Sequence, residues 1–254
     1  MSIIKKATLL LLVTILLILS VIWLRAPLSY ERWNKQTLFV WVIDIIHGRS
    51  IDEKAHAMWI DDDSGEGVFA VNTISNEVGI RPVYAVIADK MTSQVADSLA
   101  SWQRQGKADI ALHGLRHERW KEWEKEIIEN DILLSRQRLA EQGFDTSRLL
   151  KIIVPPHACN TQAIRKVIKQ QGCQMITGAS LVNPDRHVFQ LGRVSITPQT
   201  DTTEMRLLLE NAYKRKAFII FGTHSSIPDW FSEEKTRQVL EMAKEIGFSF
   251  DFFE

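Results

Sequence analysis

The chain has 254 residues, with 31 Lys or Arg balanced by 31 Asp or Glu, so its formal net charge is zero. That balance supplies no field to draw the protein to nucleic acid or to an acidic lipid surface, so a polyanion partner is not indicated. Only two cysteines occur, which excludes a disulfide scaffold.

Residues 7–24, ATLLLLVTILLILSVIWL, form an uncharged apolar block preceded by Lys5 and Lys6. Its length is at the lower end of what spans a bilayer as a helix. Ile22, Trp23, Leu24 and Arg25 close the block where a cleaved signal peptide would carry small residues. The expectation is an uncleaved signal anchor over 1–25, a connecting segment over 26–54 and one catalytic domain over 55–254. With Lys5 and Lys6 inside, the bulk of the chain goes to the non-cytoplasmic side, periplasmic or extracellular, although Arg25 weakens the asymmetry. The stretch TLFVWVIDII (37–46) reads equally as a buried strand or a helix.

From there, apolar runs alternate with helical patterns. MWI (58–60), VYAVIA (83–88), DIAL (109–112), KIIV (151–154), QMIT (174–177), AFIIF (217–221) and FSFDFF (248–253) read as buried strands. Between them SQVADSLASWQRQ, a long charged segment over about 118–142, TQAIRKVIKQQ, TEMRLLLENAYKRK and SEEKTRQVLEMAKEI read as helices, with Ile127, Leu134 and the neighbouring Ile and Leu residues on the inward stripe of the long one. The alternation predicts parallel pairing in an α/β layer or barrel. Cys159 and Cys173 flank TQAIRKVIKQQ, too far apart to bridge, and are expected as free thiols.

Four of these strands run into polar clusters: Asp61, Asp62 and Asp63; His113 and His117; Pro155, Pro156 and His157; His224, Ser225 and Ser226. In a parallel α/β fold the C-terminal strand ends share one rim, so clusters far apart in sequence converge. If the chain turns helical after Leu112, His113 and His117 share a face at i, i+4. Carboxylate with imidazole suits a divalent cation held by three protein ligands, with a position left for water. Taken singly, each cluster has a plainer reading: a solvated turn for the aspartates, packing or solvation for the histidine pair, and a hydrogen-bonded structural residue for His224.

WIDDDSG (59–65), ALHGLRH (111–117), IIVPPHA (152–158) and IIFGTH (219–224), in this order, resemble the motif set of the polysaccharide deacetylases, the NodB-homology group of carbohydrate esterase family four. The resemblance covers about 55–254 and looks like a side branch of that group. It implies a distorted parallel (β/α) barrel, here preceded by one N-terminal transmembrane helix. It also implies metal-dependent removal of acetyl groups, N- or O-linked, from cell-envelope or surface polysaccharide.

Carried over by position, the resemblance makes Asp61 the catalytic base and Asp62, His113 and His117 the ligands of one divalent ion, zinc first and cobalt, manganese or nickel as alternatives. The aspartate triplet leaves a second register open, with Asp62 and Asp63 in those roles, because successive strand side chains point to opposite faces. His224 becomes the general acid on the departing amine, with Asp201 or Glu204 either orienting it or capping a helix. His157 offers its backbone N–H to an oxyanion and its ring either to substrate or to the slot of a family tyrosine. Relatives commonly carry an arginine before the Pro-Pro pair to hold the base; here that position is Val154. The departure favours the alternative, a catalytically weak or inactive glycan-binding or assembly protein that keeps the fold. A peptidase has little support, since HExxH and a nucleophile elbow are absent. Trp120 and Trp123 are either a sugar-stacking wall or core anchors.

Overall fold

The computed structural model describes residues 13–17, 28–29, 54–178, 181–183 and 186–250. The expected anchor over 7–24 lies mostly outside these residues, with only 13–17 described, as exposed helix; TLFVWVIDII lies wholly outside them. Among the described residues no helix is long and apolar enough to cross a membrane.

The strands are β1 (Leu28–Ser29), β2 (His56–Asp61), β3 (Val83–Val86), β4 (Asp109–Leu112), β5 (Ile152–Ile153), β6 (Gln174–Thr177), β7 (Leu181–Val182), β8 (Gln190–Gly192), β9 (Val194–Ser195) and β10 (Phe218–Thr223). β1 and β7 form a small antiparallel pair. The other eight form one parallel sheet in the order β8-β6-β5-β4-β3-β2-β10-β9. β8 and β9, its two ends, are separated in sequence by Arg193 alone. One short segment therefore pairs with β6 on one side and β10 on the other, closing the sheet into the expected barrel.

Alternation along each strand divides the core in two. Met58, Ile60, Val83, Ala85, Ala111, Ile152, Val154, Ile176, Leu191, Phe218 and Ile220 form one apolar cluster. Their strand neighbours Trp59, Tyr84, Ile110, Ile153, Met175, Ile219 and Phe221 belong to the other, which they share with the helices. Burial on both faces is why the strands read as unbroken apolar runs.

The helices are α1 (Val68–Val78), α2 (Ser93–Arg104), α3 (Lys125–Glu141), α4 (Gln162–Gln170), α5 (Thr202–Lys214) and α6 (Glu233–Ile246). Thr92, Thr161, Asp201 and Ser232 cap α2, α4, α5 and α6, each side-chain oxygen accepting a first-turn N–H. In α3 the inward stripe is Ile128, Ile132, Ser135 and Leu139, not Ile127 and Leu134, which are exposed. The reason is phase: the helix begins at Lys125, after a separate 3-10 turn at Trp120–Glu122, so the buried row falls one residue from the expected one. Of FSFDFF, Phe248 to Phe250 lie in the described region, and there Ser249 makes an isolated bridge to His56 rather than a strand. Cys159 and Cys173 are free and buried.

Candidate active site

Because the barrel strands are parallel, the four polar clusters emerge at the same rim. The loop after β2 (DDDSGEG) lies flat against the loop after β10. A Cβ on Gly67 would stand 2.2 Å from the backbone carbon of Ser225, so only glycine allows this approach. Asp63 stitches the two loops: its Oδ2 accepts from the Ser226 N–H at 2.7 Å, and its Oδ1 from Ser64 N–H and Gly65 N–H at 2.6 and 3.2 Å.

Asp61 is fully enclosed. Its Oδ1 accepts from Thr223 Oγ1 at 2.7 Å and Ser225 N–H at 3.0 Å, and its Oδ2 from Ser225 Oγ at 2.7 Å. Trp59 Nε1–H in turn donates to Thr223 Oγ1 at 3.0 Å. Burial pushes the Asp61 carboxyl up to about 7, outweighing the bonds from Ser225 and Thr223 that favour the anion. The residue expected as base thus ties β2 to β10, both of its oxygens accepting hydrogen bonds from Thr223 and Ser225.

Asp62 meets the opposite surroundings. Its Oδ2 pairs with Arg193 Nη1 at 2.6 Å and lies 3.3 Å from His224 Nε2 and 3.8 Å from His113 Nε2. Its Oδ1 is buried with no hydrogen-bond partner. Burial pushes this carboxyl up, but the Arg193 charge and the bond from His224 outweigh it and hold the group well below the usual carboxylate range.

The chain does not turn helical after Leu112, as the i, i+4 reading supposed. Residues 113–119 form a loop, and His117 sits at φ 61. The two imidazoles still meet, ring centroids 4.6 Å apart, and His157 continues the row at 4.4 Å from His117. His157 Nε2 lies 3.1 Å from His117 O. His117, His157 and Ala158 are three of the four non-glycine residues at positive φ among the described residues, a concentration of backbone strain at this rim. His113 Nδ1 lies 2.7 Å from Val154 O, which accepts its proton and leaves Nε2 with a lone pair toward Asp62. Burial lowers His113; burial, then the neighbouring His113 and His157, lower His117 to about 4.

Two neutral imidazoles beside an ionised carboxylate with an orphaned oxygen fit the donor chemistry of a divalent-cation site. Among the described residues, however, no group of three His, Cys, Asp or Glu is drawn together closely enough to hold an ion. The structure therefore gathers Asp62, His113, Arg193 and His224, sets the His117 and His157 rings in a row beside His113, and engages Asp61 and Asp63 with the chain after β10.

Arg193 escaped the sequence reading. It lies in a strand segment too short for any periodicity, between two pieces that pair with different neighbours. Gly222 makes room for it, since a Cβ there would meet Arg193 Cδ at 2.8 Å. The acidic group beside His224 is Asp62, while Asp201 caps α5 through the Thr203 and Glu204 N–H groups. Trp120 is fully enclosed and Trp123 stacks on it at 6.5 Å, as core anchors do. The exposed aromatic residue at the rim is instead Trp230, edge-on to His224 at 5.2 Å.

Among solved structures, the CE4 domain of a xylanase from the hindgut metagenome of Trinervitermes trinervoides is similar at 16% identity and a TM-score of 0.52, covering 78% of this chain and 86% of that one. A family 4 acetyl xylan esterase from Clostridium thermocellum, solved with a cobalt ion, gives 11%, 0.55, 76% and 86%. A CE4 family pseudoenzyme from Bacillus anthracis gives 11%, 0.52, 78% and 63%. At these identities the likeness is one of fold. No curated protein matches the chain. The polysaccharide deacetylase profile matches residues 48–176, half of the 254 residues, and the chain belongs to the polysaccharide deacetylase family, hydrolases of amide bonds.

Proposed function

We propose that the protein is a metal-dependent deacetylase of N-acetylated cell-envelope polysaccharide, tethered by residues 1–25 with its catalytic domain on the non-cytoplasmic side. The apolar block after Lys5 and Lys6 supports the tether. One observation carries the chemistry: the buried, unpartnered Asp62 Oδ1 beside a His113 ring whose Nδ1 is committed to Val154 O. A carboxylate is left in that condition at a cost of about 1–3 kcal/mol unless something binds it.

In this reading Asp62, His113 and His117 hold the ion. A bound divalent ion supplies Lewis acidity to the acetyl carbonyl and to the attacking water. Arg193, arriving from the barrel closure, supplies the cation that position 154 lacks and keeps Asp62 ionised. Asp62 Oδ2 accepts the Nε2 proton of His224, which frees Nδ1 to take the proton of the water and return it to the departing amine. His157, at φ 56 on the stiff Pro-Pro loop, directs its N–H toward the developing oxyanion. Proton transfer is assigned to His224 and not to Asp61, because both Asp61 oxygens already accept hydrogen bonds that tie β2 to the loop after β10.

A second reading, glycan binding without turnover, is favoured by Val154 and by the absence of a close three-donor cluster among the described residues. Acetate release from an N-acetylglucosamine oligomer, measured with the metal content of native and His113→Ala protein, separates the two. The first reading expects bound metal and acetate release in native protein and loss of both in His113→Ala. Metal-free native protein that releases no acetate when zinc or cobalt is added overturns it.

A further inference from the structure

We infer that Trp230, with Ile227 beside it, is the platform on which one N-acetylhexosamine ring of the substrate stacks next to His224. The inference deepens the deacetylase reading and rests on it. After β10 the chain makes two successive turns, Ile227 N–H donating to His224 O at 3.1 Å and Trp230 N–H to Ile227 O at 2.8 Å. Pro228 opens the short 3-10 turn Pro228–Trp230, and its ring fixes φ there. The indole is thus tied by backbone to the imidazole it meets edge-on, ring centroids 5.2 Å apart.

This fixed ring is nevertheless 54% exposed, and Ile227 is 42% exposed, whereas Trp59 and Trp120 are wholly enclosed. What singles this exposed ring out is its place: its backbone is tied through Ile227 to that of His224, and its face is open to a substrate ring lying against the same imidazole. Two apolar side chains flanked by exposed Ser226 and Asp229 make a patch far smaller than a protein interface requires. The patch suits one pyranose ring. The C–H groups on one face of the sugar present positive partial charge to the indole π cloud, while its hydroxyls and acetamido group remain at the edge to be solvated or recognised. A ring seated on Trp230 is next to the imidazole that moves the proton, which couples stacking to reaction.

The test compares full-length native protein with Trp230→Ala and Trp230→Phe, using an N-acetylglucosamine oligomer and a nitrophenyl acetate. By calorimetry, Trp230→Ala should bind the oligomer about tenfold more weakly, about 1.4 kcal/mol, and Trp230→Phe within about threefold of native. The ratio of kcat/KM for the oligomer to that for the aryl ester should fall by a similar factor in Trp230→Ala and be largely restored in Trp230→Phe. Equal oligomer affinity in native and Trp230→Ala protein overturns the platform, as does native protein that binds no oligomer. If native protein binds the oligomer but releases no acetate, the deacetylase reading fails, while weakened binding by Trp230→Ala still upholds the platform.

Discussion

Asp61 and Asp62 are adjacent in the chain and both buried, yet one side chain closes a seam and the other opens a site. At Asp61 three donors from Thr223 and Ser225 fill both oxygens, and the carboxyl ties β2 to β10. At Asp62 one oxygen meets Arg193, His224 and His113, and the other has no partner. Burial alone therefore distinguishes nothing; completeness of hydrogen bonding does. Asp61 is a bonded part of the frame, whereas Asp62 keeps one buried oxygen without a hydrogen-bond partner, which is the feature the proposed function uses.

The contrast is sharpest in turnover. Asp62→Asn removes the charge that would hold an ion and orient His224, and acetate release should fall about a thousandfold, the scale of losing a preorganised electrostatic group. A smaller loss than tenfold in a steady-state assay would place Asp62 outside the chemistry. Arg193→Ala comes next, because it leaves Asp62 as a buried charge without its cation. Urea unfolding should register a loss of about 3–5 kcal/mol, and an unchanged midpoint would mean that the pair contributes nothing to the fold.

At Asp61, alanine strands the Ser225 and Thr223 donors and should destabilise by roughly 3 kcal/mol. Asparagine can still accept from the seam, so Asp61→Asn should fold and release acetate at a rate within about tenfold of native, a smaller loss than general acid-base groups cause. A natively folded Asp61→Asn protein with no turnover would return the base to this residue. The smallest effect concerns Asp131, whose Oδ2 accepts the Leu115 N–H from the loop carrying His113 and His117. Burial raises its pKa above the ordinary 3.8. A carboxyl raised by folding stabilises the native state while protonated in both states, and that contribution is lost as pH rises from 3.8 through the folded value. Asp131→Asn should therefore flatten the decline of unfolding free energy across that interval and be no less stable than native protein at neutral pH. An unaltered pH slope would remove burial as the cause.

Much of the architecture was legible because its signal is local. Val83–Val86 and Phe218–Thr223 are buried on both faces, and a run buried on both faces has to be apolar throughout. The caps at Thr92, Asp201 and Ser232 announce helices by the same local chemistry. The strand segment over 190–195 was not legible, since three residues and then two carry no measurable period. The stripe of α3 was misplaced by one residue because the 3-10 turn at Trp120–Glu122 resets its phase.

The sequence by itself determined the alternating elements, the family motifs and the set of side chains brought to one rim, since parallel strands order their ends automatically. Only the tertiary structure decided which aspartate meets Arg193 and His224, that this arginine arrives from the barrel closure, and that the tryptophan beside His224 is Trp230 while Trp120 is buried. Those outcomes depend on side-chain direction and on contacts between residues more than a hundred positions apart, such as Asp62 with Arg193 and Asp61 with Ser225. No local pattern encodes such pairings, because the partner's position is set by barrel closure and not by the neighbouring chain.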